Sequence, residues 1–121
     1  MSLINAMLDK LKQGSIKNVI LFSDQDVFPE PPYVVVKPEA GSIENTRQFR
    51  IVVHMKQGQF DELNNYCLFE LDALLLSGLI EDEEDGQYKL YVNGYTDITP
   101  EPTDNTYFME RFYFTPLMIR S

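Results

Sequence analysis

The chain has 121 residues, of which 44% are hydrophobic and 24% are charged, and its formal net charge is −9. This composition is typical of one globular domain with a single core, spanning residues 1–121, and it excludes an intrinsically disordered chain. The longest uninterrupted apolar run is a handful of residues, so we expect no membrane-spanning segment and no membrane partner.

The charge is divided unevenly along the chain. Residues 1–60 carry a net charge of +1, whereas residues 61–121 carry −10. A chain with that balance does not bind nucleic acid by neutralising phosphates. Nucleic acid can therefore lie beside this protein without adhering to it, or the protein can mimic it.

Three segments with clear hydrophobic patterns occupy the first half of the chain. Residues 2–13 place apolar side chains at helical spacing, and residues 18–22, four of which are apolar, form a candidate short strand. Residues 33–37 and 47–55 predict two strands, because they are β-branched or alternate between apolar and polar side chains. The nine residues between them, 38–46, are rich in turn formers. We therefore predict a hairpin with a long loop.

The second half of the chain repeats this order of a helix followed by a hairpin. Residues 59–77 predict the main helix, and the acidic run 81–85 predicts a solvated loop. Strands are predicted at 87–97 and 106–114, with a proline-containing loop between them. The predicted fold is α+β in the order helix, hairpin, helix, hairpin. It has an antiparallel sheet of about four strands and two helices packed on one face.

The main helix carries more apolar surface than one buried stripe requires. Its predicted core stripe consists of Phe60, Leu63, Cys67, Leu71, Leu74 and Leu75. Beside this stripe it presents four further apolar residues: Leu68, Phe69, Leu76 and Leu79. A helix that covers a sheet needs only one apolar face. The excess indicates either a second partner, such as another subunit, or the N-terminal helix packed alongside.

The sequence offers no clear catalytic apparatus. His54 lies on the polar side of its strand with no partner base or acid in the pattern, and Cys67 lies among leucines, where a free cysteine is commonly a small buried apolar group. The run Glu81, Asp82, Glu83, Glu84, Asp85 does not continue as a calcium loop, because position twelve is Val92 rather than a glutamate. We therefore expect no enzymatic activity, no metal and no cofactor.

Six segments follow one another in a characteristic order: the N-terminal helix, PPYVVVKPE, RQFRIVVHM, the leucine-rich helix, YKLYVNGY and MERFYFTPLMI. Their order and spacing resemble those of the tail terminator and tail-completion (head–tail joining) proteins of long-tailed bacteriophages and prophages. The resemblance implies an α+β domain that forms a ring, often a hexamer, which caps the tail tube or joins tail to head. It implies that DNA passes through the ring without specific binding, and that the partners are other copies, the tail tube and neck or connector proteins.

The resemblance also implies a location in the virion tail or neck, and in the bacterial host cytoplasm before assembly. In such a ring the loops 38–46 and 98–105 would reach neighbouring rings. Four basic residues are candidates for the subunit interface: Arg47, Arg50, His54 and Arg111. Residues 81–85 are the candidate acidic surface, and any acids that face the channel would repel the phosphates of DNA.

Two other functions stay open at the level of sequence. An acidic inhibitor that mimics DNA would need acids spread at phosphate spacing, whereas five of the nineteen acids lie in one run. A small ligand-binding α+β domain would need an apolar pocket with convergent polar groups, and the sequence shows no such cluster.

Overall fold

The computed structural model describes residues 2–22, 30–39, 46–56, 58–76, 80–82, 86–101 and 106–116. These residues form an α+β fold with a mixed sheet. Helix α1 opens the described chain, and three strands follow it: α1 Ser2–Lys12, β1 Val19–Leu21, β2 Tyr33–Glu39 and β3 Thr46–Lys56. Helical segments and five further strands complete the order: α2 Phe60–Asn65, a π-helical turn Tyr66–Glu70, α3 Leu71–Leu76, β4 Ile80–Asp82, β5 Gly86–Tyr88, β6 Tyr91–Tyr95, β7 Thr99–Glu101 and β8 Thr106–Pro116.

Within the described residues, the main sheet has six strands in the order β1-β2-β3-β8-β6, with β7 also paired to β8. Strand β1 runs parallel to β2, and the other pairs of this sheet are antiparallel. The two longest strands, β3 and β8, pair along their whole lengths, from Thr46 opposite Pro116 to Lys56 opposite Thr106. Strands β4 and β5 form a separate two-stranded sheet.

The alternation of side chains gives the main sheet two different faces. One face, called the inner face below, packs against the helices through a continuous apolar core that includes Phe49, Ile51 and Val53 of β3. The opposite face, called the outer face, carries a smaller buried cluster of Tyr33, Val35 and Val52. Within the described part of the chain, that smaller cluster contains strand residues alone, so the helices lie on one side of the sheet.

Residues Phe60 to Leu76 form one continuous helical segment, called the long helix below. Four members of the predicted core stripe, Leu63, Cys67, Leu71 and Leu75, are fully buried. The other two are not, because Phe60 is 40% exposed and Leu74 is half-buried. Replacing one of the fully buried leucines by alanine removes packed methylenes and is expected to cost about 2–5 kcal/mol.

Helix α1 packs beside the long helix and buries Ile4, Met7 and Leu11 in the same core. The helices meet closely at Gly14, where an added Cβ would lie 2.7 Å from the Glu70 carboxylate and 2.8 Å from Leu74. Glu70 accepts hydrogen bonds from the Ser15 amide and hydroxyl, at 2.7–2.9 Å. Gly14 therefore gives α1 room to approach the long helix, and Ser15 fixes the contact.

The predicted order of helix, hairpin, helix, hairpin with four antiparallel strands is not confirmed. The sheet is mixed, because the segment around Val19–Leu21 adds a parallel strand to β2. The predicted strand 87–97 is broken at Lys89 and Leu90, and Leu90 is buried in the core. The first part of that segment pairs with β4 instead of entering the main sheet.

Two predicted loops contain strands. Thr99–Glu101, expected within the loop 98–105, pairs with β8, and Pro100 is tolerated there because β7 lies at the sheet edge. Pro38 and Glu39, expected in the loop 38–46, extend β2 and pair with β3. The remaining loop residues 40–45 and 102–105 lie outside the described part.

Candidate functional site

Three aromatic rings stack across neighbouring strands on the outer face. The His54 ring lies 4.6 Å from the Tyr33 ring at an interplanar angle of 13°. It lies 5.4 Å from the Phe108 ring at 29°. Register explains the stack, because His54 is paired with Tyr33 on one side and with Phe108 on the other. Both faces of the imidazole are covered, and Nδ1 lies 3.4 Å from the Thr106 hydroxyl.

A second row on the outer face joins cations to aromatic rings. Lys37, Arg50 and Phe112 are register partners on β2, β3 and β8. The Arg50 guanidinium lies 5.5 Å from the Phe112 ring centre, and the Lys37 ammonium lies 4.9 Å from the Phe22 ring centre. Both distances are within the range of cation–π attraction.

The same surface is completed by two more aromatic residues and one acid. Phe114 stacks on Tyr91 of β6 with 5.5 Å between ring centres. Glu110 forms an ion pair with Arg50 at 3.5 Å. Phe22 and Tyr91 are 50% and 44% exposed, so this end of the outer face presents aromatic surface to solvent. We call the set of Phe22, Lys37, Tyr91, Arg50, Phe112 and Phe114 the cation–aromatic surface.

The structure separates the four basic residues expected at an interface. Arg50 and His54 lie on the outer face. Arg111 lies on the inner face and is 8% exposed. The side chain of Arg47 lies outside the described set, and its backbone pairs with Thr115.

Arg111 joins the sheet to the long helix. Its Nη2 and Nε donate to the Asp72 carboxylate at 2.6 and 3.3 Å, and the Tyr113 hydroxyl donates to the same carboxylate at 2.7 Å. Burial alone would lower the pKa of Arg111, but the hydrogen bond and charge of Asp72 raise it above its ordinary value. The guanidinium therefore stays charged inside the fold, where it is hydrogen-bonded to Asp72.

The acidic run is partly a strand rather than a loop. Glu81 and Asp82 belong to β4, where they pair with Gln87 and Gly86. Glu83, Glu84 and Asp85 lie outside the described residues.

Cys67 is placed where a thiol is chemically inert. Burial raises the pKa of the Cys67 thiol to about 12, so it is protonated at neutral pH. A protonated, fully buried thiol is neither a nucleophile nor a metal ligand. Among the residues whose placement is described, no group of three or more histidine, cysteine, aspartate or glutamate side chains is arranged to hold a metal ion. In those same residues, no helix combines the length and the apolar character that crossing a membrane requires.

The prediction of interface residues missed the aromatic partners of the cations. Phe112 and Phe114 alternate along β8 with Met109, Arg111 and Tyr113 of the inner face. That alternation is visible in the sequence, and it would also have placed Arg111 among core residues. Lys37 was missed because its role depends on Phe22, which is fifteen residues away in sequence.

The fold is that of an α+β protein whose mixed sheet carries helices on one face. No family model matches the sequence, and no curated protein sequence matches it. Among solved structures, 22 chains match.

One of these structures, whose designation carries no functional description, aligns with a TM-score of 0.67. The alignment covers 98% of this chain and 96% of the other, at 14% sequence identity. At that identity the similarity shows a shared fold and no more.

Proposed function

We propose that the protein is a non-enzymatic structural subunit of a phage or prophage tail. In this proposal, copies form a closed ring, hexameric by the resemblance, at the tail end or the head–tail junction. The observation that carries the proposal is the cation–aromatic surface. It combines cations with exposed rings on the sheet face opposite the helices, which is a composition typical of protein interfaces.

The environments of two potentially reactive side chains, His54 and Cys67, also support the proposal. The His54 ring is covered on both faces by Tyr33 and Phe108. The Cys67 thiol is buried and protonated. Both side chains are used for packing, which favours a structural role.

The charge of the chain suits a ring around DNA. Its formal net charge of −9 repels the phosphates of DNA. A negatively charged lining lets DNA move through a ring without being held by it. The ring would therefore let DNA pass and would terminate the tail tube, with the tube and connector proteins as its partners.

Immunogold electron microscopy of purified phage particles tests this function. Particles induced from the strain that encodes the chain are labelled with antibodies against it. We expect label at one end of the tail, at the tip or the neck. Label spread along the tail, or its absence from particles while the protein is present in the lysate, would contradict the proposal.

A further inference from the structure

The long helix has an exposed side that the fold leaves without a partner among the described residues. Glu62, Asn65, Phe69 and Ala73 are exposed and recur at spacings of three or four residues, so they lie on one side of the helix. Phe69 is 68% exposed, the highest value for a large apolar side chain among the described residues. We call these four residues the Phe69 stripe.

The apolar excess predicted for this helix is otherwise absorbed by the core. Leu68, Leu74 and Leu76 pack against the main buried cluster, to which helix α1 also contributes. Packing against this core therefore accounts for Leu68 and Leu76 but not for Phe69, and the fourth predicted residue, Leu79, lies outside the described residues. The Phe69 ring is the part of this extra apolar surface that is exposed to solvent and can contact another molecule.

The charge of the long helix is the opposite of that on the outer face. Residues 60–76 contain four acids and no lysine, arginine or histidine. Glu70 is bound by Ser15 and Asp72 by Arg111, which leaves Asp61 and Glu62 exposed to solvent.

By strand alternation, the described charges on the outer face are the cations Lys37, Arg50 and Lys56 and the acid Glu110, and Glu110 is already paired with Arg50. The two surfaces are therefore complementary in both charge and aromatic content.

We infer that the Phe69 stripe of one copy docks on the cation–aromatic surface of the next copy. Phe69 would lie among Phe22, Phe112 and the neighbouring rings, with Asp61 and Glu62 near the cations. This inference rests on the proposed function, since it assigns the two halves of the ring contact.

The two surfaces lie on opposite sides of the main sheet, because the long helix covers the inner face and its stripe points away from it. A contact between two different surfaces repeats from copy to copy, and such a head-to-tail contact closes into a ring when its rotation allows. The occupant of the outer face is thus a second copy of this chain.

Two variants, each blocked on one surface, test the inference. Arg50→Glu places an acid where the stripe brings acids, and Phe69→Lys places a cation where the outer face holds cations. Each variant alone keeps one working surface but has no partner for it, so each stays monomeric. In a 1:1 mixture, the intact Phe69 stripe of the Arg50→Glu variant binds the intact outer face of the Phe69→Lys variant. The remaining two surfaces are blocked, so assembly stops at a dimer of twice 14.1 kDa, measured by light scattering behind size exclusion.

Matched controls distinguish the loss of this contact from a general effect of net charge and from a failure to fold. Lys12→Glu changes the net charge as Arg50→Glu does, and Asn5→Lys changes it as Phe69→Lys does; both positions are exposed on α1, and both controls should form rings. Phe22→Asp is a second variant of the outer face, in case Arg50→Glu disturbs Glu110 and fails to fold.

Three results would overturn the inference. Rings formed by Phe69→Lys, or a mixture that stays monomeric while the wild type forms rings, would overturn this contact and leave the proposed function standing. A wild type that is monomeric throughout would overturn both.

Discussion

Arg111 of strand β8 and Asp72 of the long helix form an ion pair through the inner face of the sheet. Two hydrogen bonds of 2.6 and 3.3 Å join them, and the Tyr113 hydroxyl adds a third donor to the same carboxylate. The side chains are 10% and 25% exposed. This contact fixes how the long helix lies on the sheet, and so it fixes the direction in which the Phe69 stripe points.

We expect Asp72→Ala to lower the free energy of unfolding by about 3 kcal/mol, because it leaves the Arg111 guanidinium buried without its counter-charge. Urea denaturation of the variant and the wild type measures the difference. Asp97→Ala is the control, since Asp97 is exposed, and its effect should stay within about 0.5 kcal/mol. Equal losses in the two variants would show that the ion pair does not hold the layers together.

We expect Gly14→Ala to destabilise the fold by about 1 kcal/mol, because the new methyl group would displace Glu70 and Leu74 from α1. A glycine-to-alanine change without such contacts usually raises stability by reducing the freedom of the unfolded chain. A lower urea midpoint in Gly14→Ala would therefore confirm the close contact at Gly14, and a higher midpoint would contradict it. Ser15→Ala, which keeps the space but removes the hydroxyl bonds to Glu70, should also destabilise.

Alkaline pH should destabilise the protein from about pH 9 upward. Burial raises the pKa of Cys67 from 9.0 to about 12, and burial with the Asp72 carboxylate raises the pKa of Tyr113 above its ordinary 10.0. The folded chain then holds these protons to higher pH than the unfolded chain does. Their contribution to stability is complete below pH 9 and is lost as the pH rises through the folded values.

Thermal denaturation followed between pH 7 and pH 11 measures this loss. In Cys67→Ala the decline should begin later, near the ordinary pKa of tyrosine. A melting temperature of the wild type that stays constant from pH 7 to pH 11 would contradict the burial of Cys67 and Tyr113.

The sequence predicted the elements whose side chains repeat over many residues. The alternation of Phe49, Ile51, Val53 and Met55 gave the inner face of β3, and all four are buried. The helical spacing of Leu63, Cys67, Leu71 and Leu75 gave the inner stripe of the long helix. Long periodic patterns succeed because one buried face determines each of them.

Two of the features that the sequence did not predict depend on partners that are distant in sequence, whereas the pairing of β4 with β5 is local. Strand β1 has three residues, and its parallel pairing with β2 follows from packing rather than from its own pattern. The pairing of β4 with β5 places part of the acidic run in a strand, which the local composition does not indicate. The alternation along β8 places Arg111 on the inner face, but its ion pair with Asp72 joins two residues that are 39 positions apart in sequence.

The central claim is that copies of this chain assemble into a closed ring. Light scattering behind size exclusion over a range of protein concentrations, with negative-stain images of the largest species, tests it most directly. We predict one discrete species of several times the subunit mass of 14.1 kDa, seen as rings with a central opening. A mass of 14.1 kDa at every concentration, with no rings in the images, would contradict the account.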